Sequence, residues 1–336
     1  MPNPQTITKA KNHTATPLIS IGLPVYNGER YLSRSLDSLL GQSFQDFEII
    51  VVDNASTDRT EAIVREYMQR EPRIRYYKNE RNRGAVYNFN RALALARGEY
   101  FKWMAADDVI RPEFLHACLQ VLQANPQAAL VYAKAAFIDD QGRVIYRFDD
   151  IMELPPWPRQ TLPRTRQFLE AVFRDGSAAN VIIFGLAPTR VLRAIRPLGN
   201  YFGCDYVAVT ELALQGEIHE IPQVLAFYRR HSGSSSTYRK SPSASEQQAF
   251  YDPSITSRIR QEFNLRRRYL EVCLVVARAQ LHPLAKTRLL AAIANIVARR
   301  AVWRVGFEIR AALGKLDTSP PIKRTEGIGL HWSEFS

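Results

Sequence analysis

The sequence predicts an α/β protein: a single sheet domain whose first half is mostly parallel and whose second half is mixed, followed by a C-terminal helical appendage. Three observations lead there. Short apolar runs alternate with amphipathic segments four times in about 125 residues, the pattern of a parallel sheet covered by helices. Several of these runs end in polar or acidic residues. Past residue 255 the chain becomes arginine-rich and helical in period.

The elements follow in order. Residues 1–16 read as a loose leader, after which "LISIGLPVYN" is short and apolar enough for a buried strand, closed by Asn27-Gly28. Tyr31, Leu32, Ser35, Leu36, Leu39 and Leu40 form a helical stripe that Gly41 stops. "FEIIVVDNAS" is a second buried strand, with Ser56 or Thr57 as cap of the next helix. "RIRYYKN" is a more exposed third strand; Gly84 opens and Gly98 closes the helix after it. "EYFKWMAADD" is the fourth strand, and Pro112 suits the first turn of a helix reaching about Gln123.

Beyond residue 128 a hairpin is expected through Asp140-Gln141-Gly142, then a proline-rich crossing, a short helix, an extended piece over 177–187 and a helix in "CDYVAVTELALQG". "EIHEIPQVLAFYRR" reads as a strand pair or a strand with a turn. The boundaries are 17–235 for the sheet domain (halves 17–127 and 128–235), 236–254 for a serine-rich mobile loop, 255–316 for the basic appendage and 317–336 for a tail.

Composition removes several classes. Hydrophobic residues at 46% and charged residues at 23% are ordinary for a globular chain. Three scattered cysteines make neither a disulfide framework nor a CxxC zinc site. There is no GxxxxGK[ST] and no GxGxxG, so neither a P-loop nor a dinucleotide cofactor is supported. The net charge of +12 is concentrated: residues 256–316 hold 13 basic and 3 acidic residues. A general nucleic-acid binder would spread that charge over the fold. No run reaches the length of a membrane span and the leader lacks an apolar core, so the expected location is the cytoplasm.

In parallel α/β sheets ligands bind beyond the carboxyl ends of the strands. Asn27, Asp53-Asn54 and Asp107-Asp108 fall there. Asp53 can accept from a base or ribose donor, or simply close an Asx-turn. Asp107 and Asp108 repel each other unless a hard cation such as Mg²⁺ or Mn²⁺ joins them; the plainer reading is a solvated turn with Asp108 as a helix cap. Asn82-Arg83-Gly84 can hold a phosphate or form a turn. Asp205 opens an apolar helix, as a cap or as a carboxylate able to take a proton from a hydroxyl. His231, beside two arginines, suits a pyrophosphate or a metal, or faces solvent. Asn180 and Trp157 are candidates for the acceptor side.

The block "ISIGLPVYNGERYLSRSLDSLLGQSFQDFEIIVVDNASTDRT" closely resembles the N-terminal signature of family 2 glycosyltransferases. The likeness continues through "NRG" at 82–84, "ARGEYFKWMAADD" at 96–108, "FGCD" at 202–205 and "FYRRH" at 227–231. The resemblance implies a GT-A fold and an inverting transfer from a nucleotide-diphosphate sugar, UDP-linked by preference, with Mg²⁺ or Mn²⁺. It also implies a saccharide or lipid-linked saccharide acceptor, in the making of surface polysaccharide or glycan. By that resemblance Pro24, Tyr26 and Glu29 line the nucleotide pocket, Asp53 contacts the base, and Arg83 and Gly84 lie near the nucleotide. The family's Asp-x-Asp falls at 105–107, with Ala105 replacing the first carboxylate. Asp107 then carries the metal and nucleotide role with Asp108 in support, Asp205 takes the base position, and His231 reaches metal or diphosphate.

Two other functions compete. Nucleotidyl transfer to a sugar phosphate would use similar groups, but an early glycine-arginine phosphate loop is missing. A non-catalytic sugar-nucleotide binder would fit Ala105 but not the retained Asp107 and Asp205. The basic appendage either touches anionic lipid at the inner face of the cell membrane or packs on the domain with its arginines in water. A seam of Leu289, Ile293, Ile296 and Val297 would also allow self-association.

Overall fold

The computed structural model describes residues 16–150, 156–175, 181–231 and 244–312. Four parallel strands form its first half: β1 (Ile19–Val25), β2 (Phe47–Asp53), β3 (Ile74–Lys78) and β4 (Tyr100–Trp103). They lie in the order β3-β2-β1-β4. β1 and β2 are buried along their whole length, which is why each reads as a continuous apolar run rather than an alternating one. Between the strands run α1 (Leu32–Leu40), α2 (Thr60–Arg70) and α3 (Ala85–Leu95).

The second half reverses direction. After β5 (Val109–Ile110) and α4 (Phe114–Ala124) come β6 (Ala128–Ile138) and β7 (Val144–Arg147). These two form the expected hairpin, turning at Gly142 with φ of 86°. Next are α5 (Thr161–Asp175), β8 (Leu186–Pro188), α6 (Thr189–Ala194), α7 (Cys204–Gln215) and β9 (Glu217–Arg229). The sheet continues from β4 through β8, β6 and β9 to β5, with β4–β8, β8–β6 and β9–β5 antiparallel. β9 is one strand rather than two. Its register against β6 slips between Ile221 and Val224, around Pro222, which has no N–H to give to the ladder.

The remaining helices are α8 (Ala244–Tyr251), α9 (Arg258–Arg278) and α10 (Pro283–Ala312). The loop expected over 236–254 therefore contains a helix, α8, whose Gln248 is buried. α9 packs on α7, and α10 on α5. Leu289 and Ile293, expected as a seam for self-association, are 0% and 2% exposed within this chain. That half of the stripe is used internally, while Ile296 and Val297 stay partly exposed. Among the described residues no helix is long and apolar enough to cross a membrane.

Several charges are buried inside this framework, and one is a lysine. Lys102 on β4 donates from Nζ to the Phe184 carbonyl at 2.6 Å and sits 4.4 Å from the Phe114 ring centroid. Burial pushes its ammonium down from 10.5 to about 8, against the raising pull of Cys118 and Asp108. Between those values the unfolded chain holds a proton that the folded chain has released. The stability contribution therefore rises with pH over that window, by about 3 kcal/mol. Urea titrations of wild type and Lys102→Met should show the wild type gaining about that much on the variant from pH 8 to 10.5. A difference that stays flat would mean the lysine titrates as it does in water.

Candidate active site

The turns after β1 and β2 clasp each other. The backbone N–H of Asn27 donates to Ser56 Oγ at 2.9 Å, that of Gly28 to Thr60 Oγ1 at 2.9 Å, and that of Glu29 to Asp58 Oδ2 at 3.0 Å. In return, Thr57 N–H donates to Asn27 Oδ1 at 2.9 Å and Arg59 N–H to Glu29 Oε2 at 3.0 Å. Asn27 and Ala55 hold positive φ of 50° and 63° in these turns, strain that the clasp stabilises. Ser56 and Thr57 are thus occupied by the first turn and do not cap α2. Asp58 Oδ1 accepts from Thr60 N–H there at 3.0 Å.

Asp53 was expected to meet a base, but its side chain is 0% exposed. Its Oδ1 accepts from Ser56 N–H at 2.8 Å and its Oδ2 from Tyr76 O–H at 2.6 Å. In this structure it braces the turn after β2 against β3 and has no exposed surface. Pro24 is likewise buried in β1, whereas Tyr26 is 49% exposed at the strand's end and Glu29 is exposed beside it.

Sequence reasoning missed a buried asparagine network next to these turns. Asn54 Oδ1 accepts from Asn79 Nδ2 at 2.9 Å and from Arg83 N–H at 2.9 Å, and Asn54 Nδ2 donates to Asn82 Oδ1 at 2.7 Å. Asn88 Nδ2 donates to the Val52 carbonyl at 2.9 Å. The network fixes the Arg83–Gly84 turn against the ends of β1 and β2. An asparagine after β2, another after β3 and a third in α3 were its signal in the sequence. Arg83 stacks 3.8 Å from the Tyr87 ring centroid, and Gly84 takes φ of 84° to open α3.

Asp107 and His231 come together, with His231 Nε2 3.0 Å from Asp107 Oδ2. The His231 ring also packs on Tyr31, whose centroid is 4.8 Å away. Asp108 turns inward. It is 7% exposed, and its Oδ1 accepts from Arg229 N–H at 2.8 Å. Burial, then the neighbouring Asp107, pushes its carboxyl well above the usual range. Arg229, also missed, donates from Nε to the Asp107 carbonyl and from Nη1 to the Asp139 carbonyl, at 2.8 and 2.7 Å. It locks the Asp107 loop to the β6–β7 hairpin.

The expected trio of Asp107, Asp108 and His231 does not form a three-ligand centre: among the described residues no three His, Cys, Asp or Glu side chains are grouped to hold a metal ion. What remains is one carboxylate and one imidazole. That pair suits a divalent cation that takes its other ligands from phosphate oxygens and water, and not a self-standing metal cage.

Asp205 is the second residue of α7, whose N-terminus follows Gly203 at φ of 82°. Its Oδ2 is buried with no protein hydrogen-bond partner. Burial lifts the carboxyl from 3.8 to about 6, moderated by the backbone amides of Asp205 and Tyr206 and by Arg268. The Tyr251 ring stands 6.3 Å from that of Phe202, and the Tyr251 backbone crosses Gly84. α8 therefore joins the Arg83–Gly84 turn to the start of α7. No described hydrogen bond or ion pair joins Asp205 to Asp107.

Of the acceptor-side candidates, Asn180 lies outside the described residues. Trp157 donates from Nε1 to Tyr132 Oη at 2.9 Å, and Tyr132 in turn donates to Glu220. It is anchored on the middle of β6, away from the strand ends that carry Asp107 and His231.

A profile described as glycosyl transferase family 2 matches residues 20–183. An uncharacterized glycosyltransferase of Methanocaldococcus jannaschii is 37% identical over 134 residues, covering 39% of this chain and 46% of that protein. A chondroitin synthase of Escherichia coli is 34% identical over 141 residues, covering 41% of this chain and 20% of that protein. The match thus spans less than half of either relative. Among solved structures, residues 1–349 of Staphylococcus aureus TarS, crystallised with UDP-GlcNAc, align with a TM-score of 0.60 at 20% identity. That alignment covers 83% of this chain and 72% of TarS 1–349. Residues 20–183 are homologous to the family 2 glycosyl transferases, and the chain has the GT-A fold, extended by C-terminal helices.

Proposed function

We propose that the protein is an inverting glycosyltransferase, moving a sugar from a nucleotide-diphosphate donor to a hydroxyl of a saccharide or lipid-linked saccharide. The observation that carries the reading is Asp205, a carboxylate at a helix start whose Oδ2 is buried and unpartnered, with desolvation lifting the carboxyl to about 6. Such a group is ionised at neutral pH yet basic enough to accept a proton from a hydroxyl as that hydroxyl attacks. The homology over residues 20–183 supplies the class of reaction.

In this mechanism the exposed Tyr26, Glu29 and Arg83 receive the nucleotide, and the asparagine network holds the Arg83 backbone in place. Asp107 and His231 would hold a divalent cation with the donor's phosphates, and such a cation neutralises charge on the departing diphosphate. Asp205 Oδ2 takes the acceptor's proton. The acceptor oxygen bonds to the anomeric carbon from the face opposite the diphosphate, and the carbon–oxygen bond to the diphosphate breaks with its electron pair. Positioning the two substrates supplies much of the rate.

The test is a panel of UDP-, GDP- and dTDP-sugars with Mg²⁺ or Mn²⁺ and saccharide acceptors, scored by release of nucleoside diphosphate. A UDP-sugar is the first choice. Release should depend on the divalent ion and weaken in Asp107→Asn. Pyrophosphate formed from a nucleoside triphosphate and a sugar phosphate, with no diphosphate release, would make nucleotidyl transfer the correct reading.

A further inference from the structure

The N-terminus of α7 holds two buried polar atoms without protein partners. One is Asp205 Oδ2; the other is Nε of Arg268, from α9. The arginine reaches this place through a gap left by glycine. A Cβ built on Gly203 would stand 2.6 Å from Arg268 Cδ, so any side chain at 203 would block the crossing. Once across, the guanidinium stacks 4.7 Å from the Phe202 ring centroid and 5.6 Å from that of Tyr206. Those two residues bracket Gly203, Cys204 and Asp205 in sequence. Both residues are partly exposed, and Arg268 Nη2 donates to Tyr269 Oη at 3.2 Å; no described hydrogen bond or ion pair joins Arg268 to Asp205. Opposite charges that each hide an unsatisfied atom nonetheless stabilise each other across a short gap.

We propose that Arg268, contributed by the basic C-terminal helices, is the charge partner and positioning residue of Asp205, so that the appendage completes the candidate active site. The proposal rests on the transferase reading for its catalytic meaning. The groups facing Asp205 are Cys204 and Tyr206 on its own helix, Tyr251 from α8 and Arg268 from α9. Burial raises the Cys204 thiol and the Tyr251 phenol well above their ordinary values, so both stay neutral near pH 7. Of these neighbours, Arg268 is the one that carries charge there. The enrichment of arginine in residues 256–316 then includes a catalytic purpose for one of them.

The experiment follows the Asp205 γ-carboxyl by ¹³C NMR in the full chain labelled at aspartate, with its resonance assigned by its loss in Asp205→Asn. A nearby cation holds a carboxylate down by about one pH unit or more, so Arg268→Met should move the titration midpoint up by about that amount. Arg268→Lys keeps the charge and should hold the midpoint near that of wild type. The acidic limb of the pH–rate profile should move with the midpoint in each variant. An unchanged midpoint in Arg268→Met overturns the pairing, and so does a lysine variant displaced as far as the methionine one, since packing rather than charge would then be responsible. The titration needs no sugar nucleotide. A pairing seen by NMR with no donor turned over would therefore uphold the charge coupling and refute the transferase reading alone.

Discussion

Asp205→Asn should lower sugar transfer by about 10²–10⁴-fold while leaving donor binding nearly unchanged. The amide has the shape of the carboxylate but cannot accept the hydroxyl's proton. Because Oδ2 has no protein partner, the change breaks no existing hydrogen bond at that atom. The wild-type rate should fall as pH drops through about 6, whereas the residual rate of the variant should lack that limb. Stability should move the other way. The folded carboxyl binds its proton more tightly than the unfolded one, so the stability this gives is lost as pH rises from 3.8 through about 6. Removing the ionised group at pH 7 relieves that penalty, but Arg268 then loses its charge partner, so the fold should be stabilised by less than about 3 kcal/mol. Transfer at the wild-type rate, with a confirmed donor and acceptor, would rule out Asp205 as the base.

The parallel half of the fold was legible because burial on both faces leaves no alternation, and β1 and β2 appear in the sequence as unbroken apolar runs. Side-chain direction was not legible. An aspartate closing a strand looks the same in sequence whether it is open to solvent or, like Asp53, buried and accepting from Tyr76 on the next strand. Asp108 is turned inward by Arg229, 121 positions later. Ser56 and Thr57 have the chemistry of caps, yet the turn after β1 competes for both. The stripe containing Leu289 and Ile293 was correctly apolar, but an apolar stripe does not say whether its partner belongs to the same chain. Asp205 and Arg268 are in different elements, and only packing of α9 on α7 sets the Arg268 guanidinium against Phe202 and Tyr206, on either side of Asp205 in sequence.

Gly84→Val should cost about 3–5 kcal/mol of stability and loosen α8 from the site. Two separate effects add. Gly84 has φ of 84° and ψ of 160°, a region that valine, branched at Cβ, enters only with strain. The new Cβ would also collide with the Tyr251 carbonyl oxygen and lie 2.7 Å from its carbonyl carbon. Those are backbone atoms, so no rotamer change relieves the contact. The Gly84 N–H is also fixed, donating to Asn82 Oδ1 at 2.9 Å, which resists retreat on the other side. The segment around Tyr251 and Asp252 must then shift, along with the Tyr251–Phe202 contact beside Asp205. Since burial is what raises the Asp205 carboxyl, opening this cover should return it toward 3.8. Urea denaturation and the Asp205 titration together check the argument, and Gly84→Ala should fall between wild type and valine in both. A valine variant within about 1 kcal/mol of wild type, with Asp205 still titrating near 6, would show that α8 does not close over Gly84.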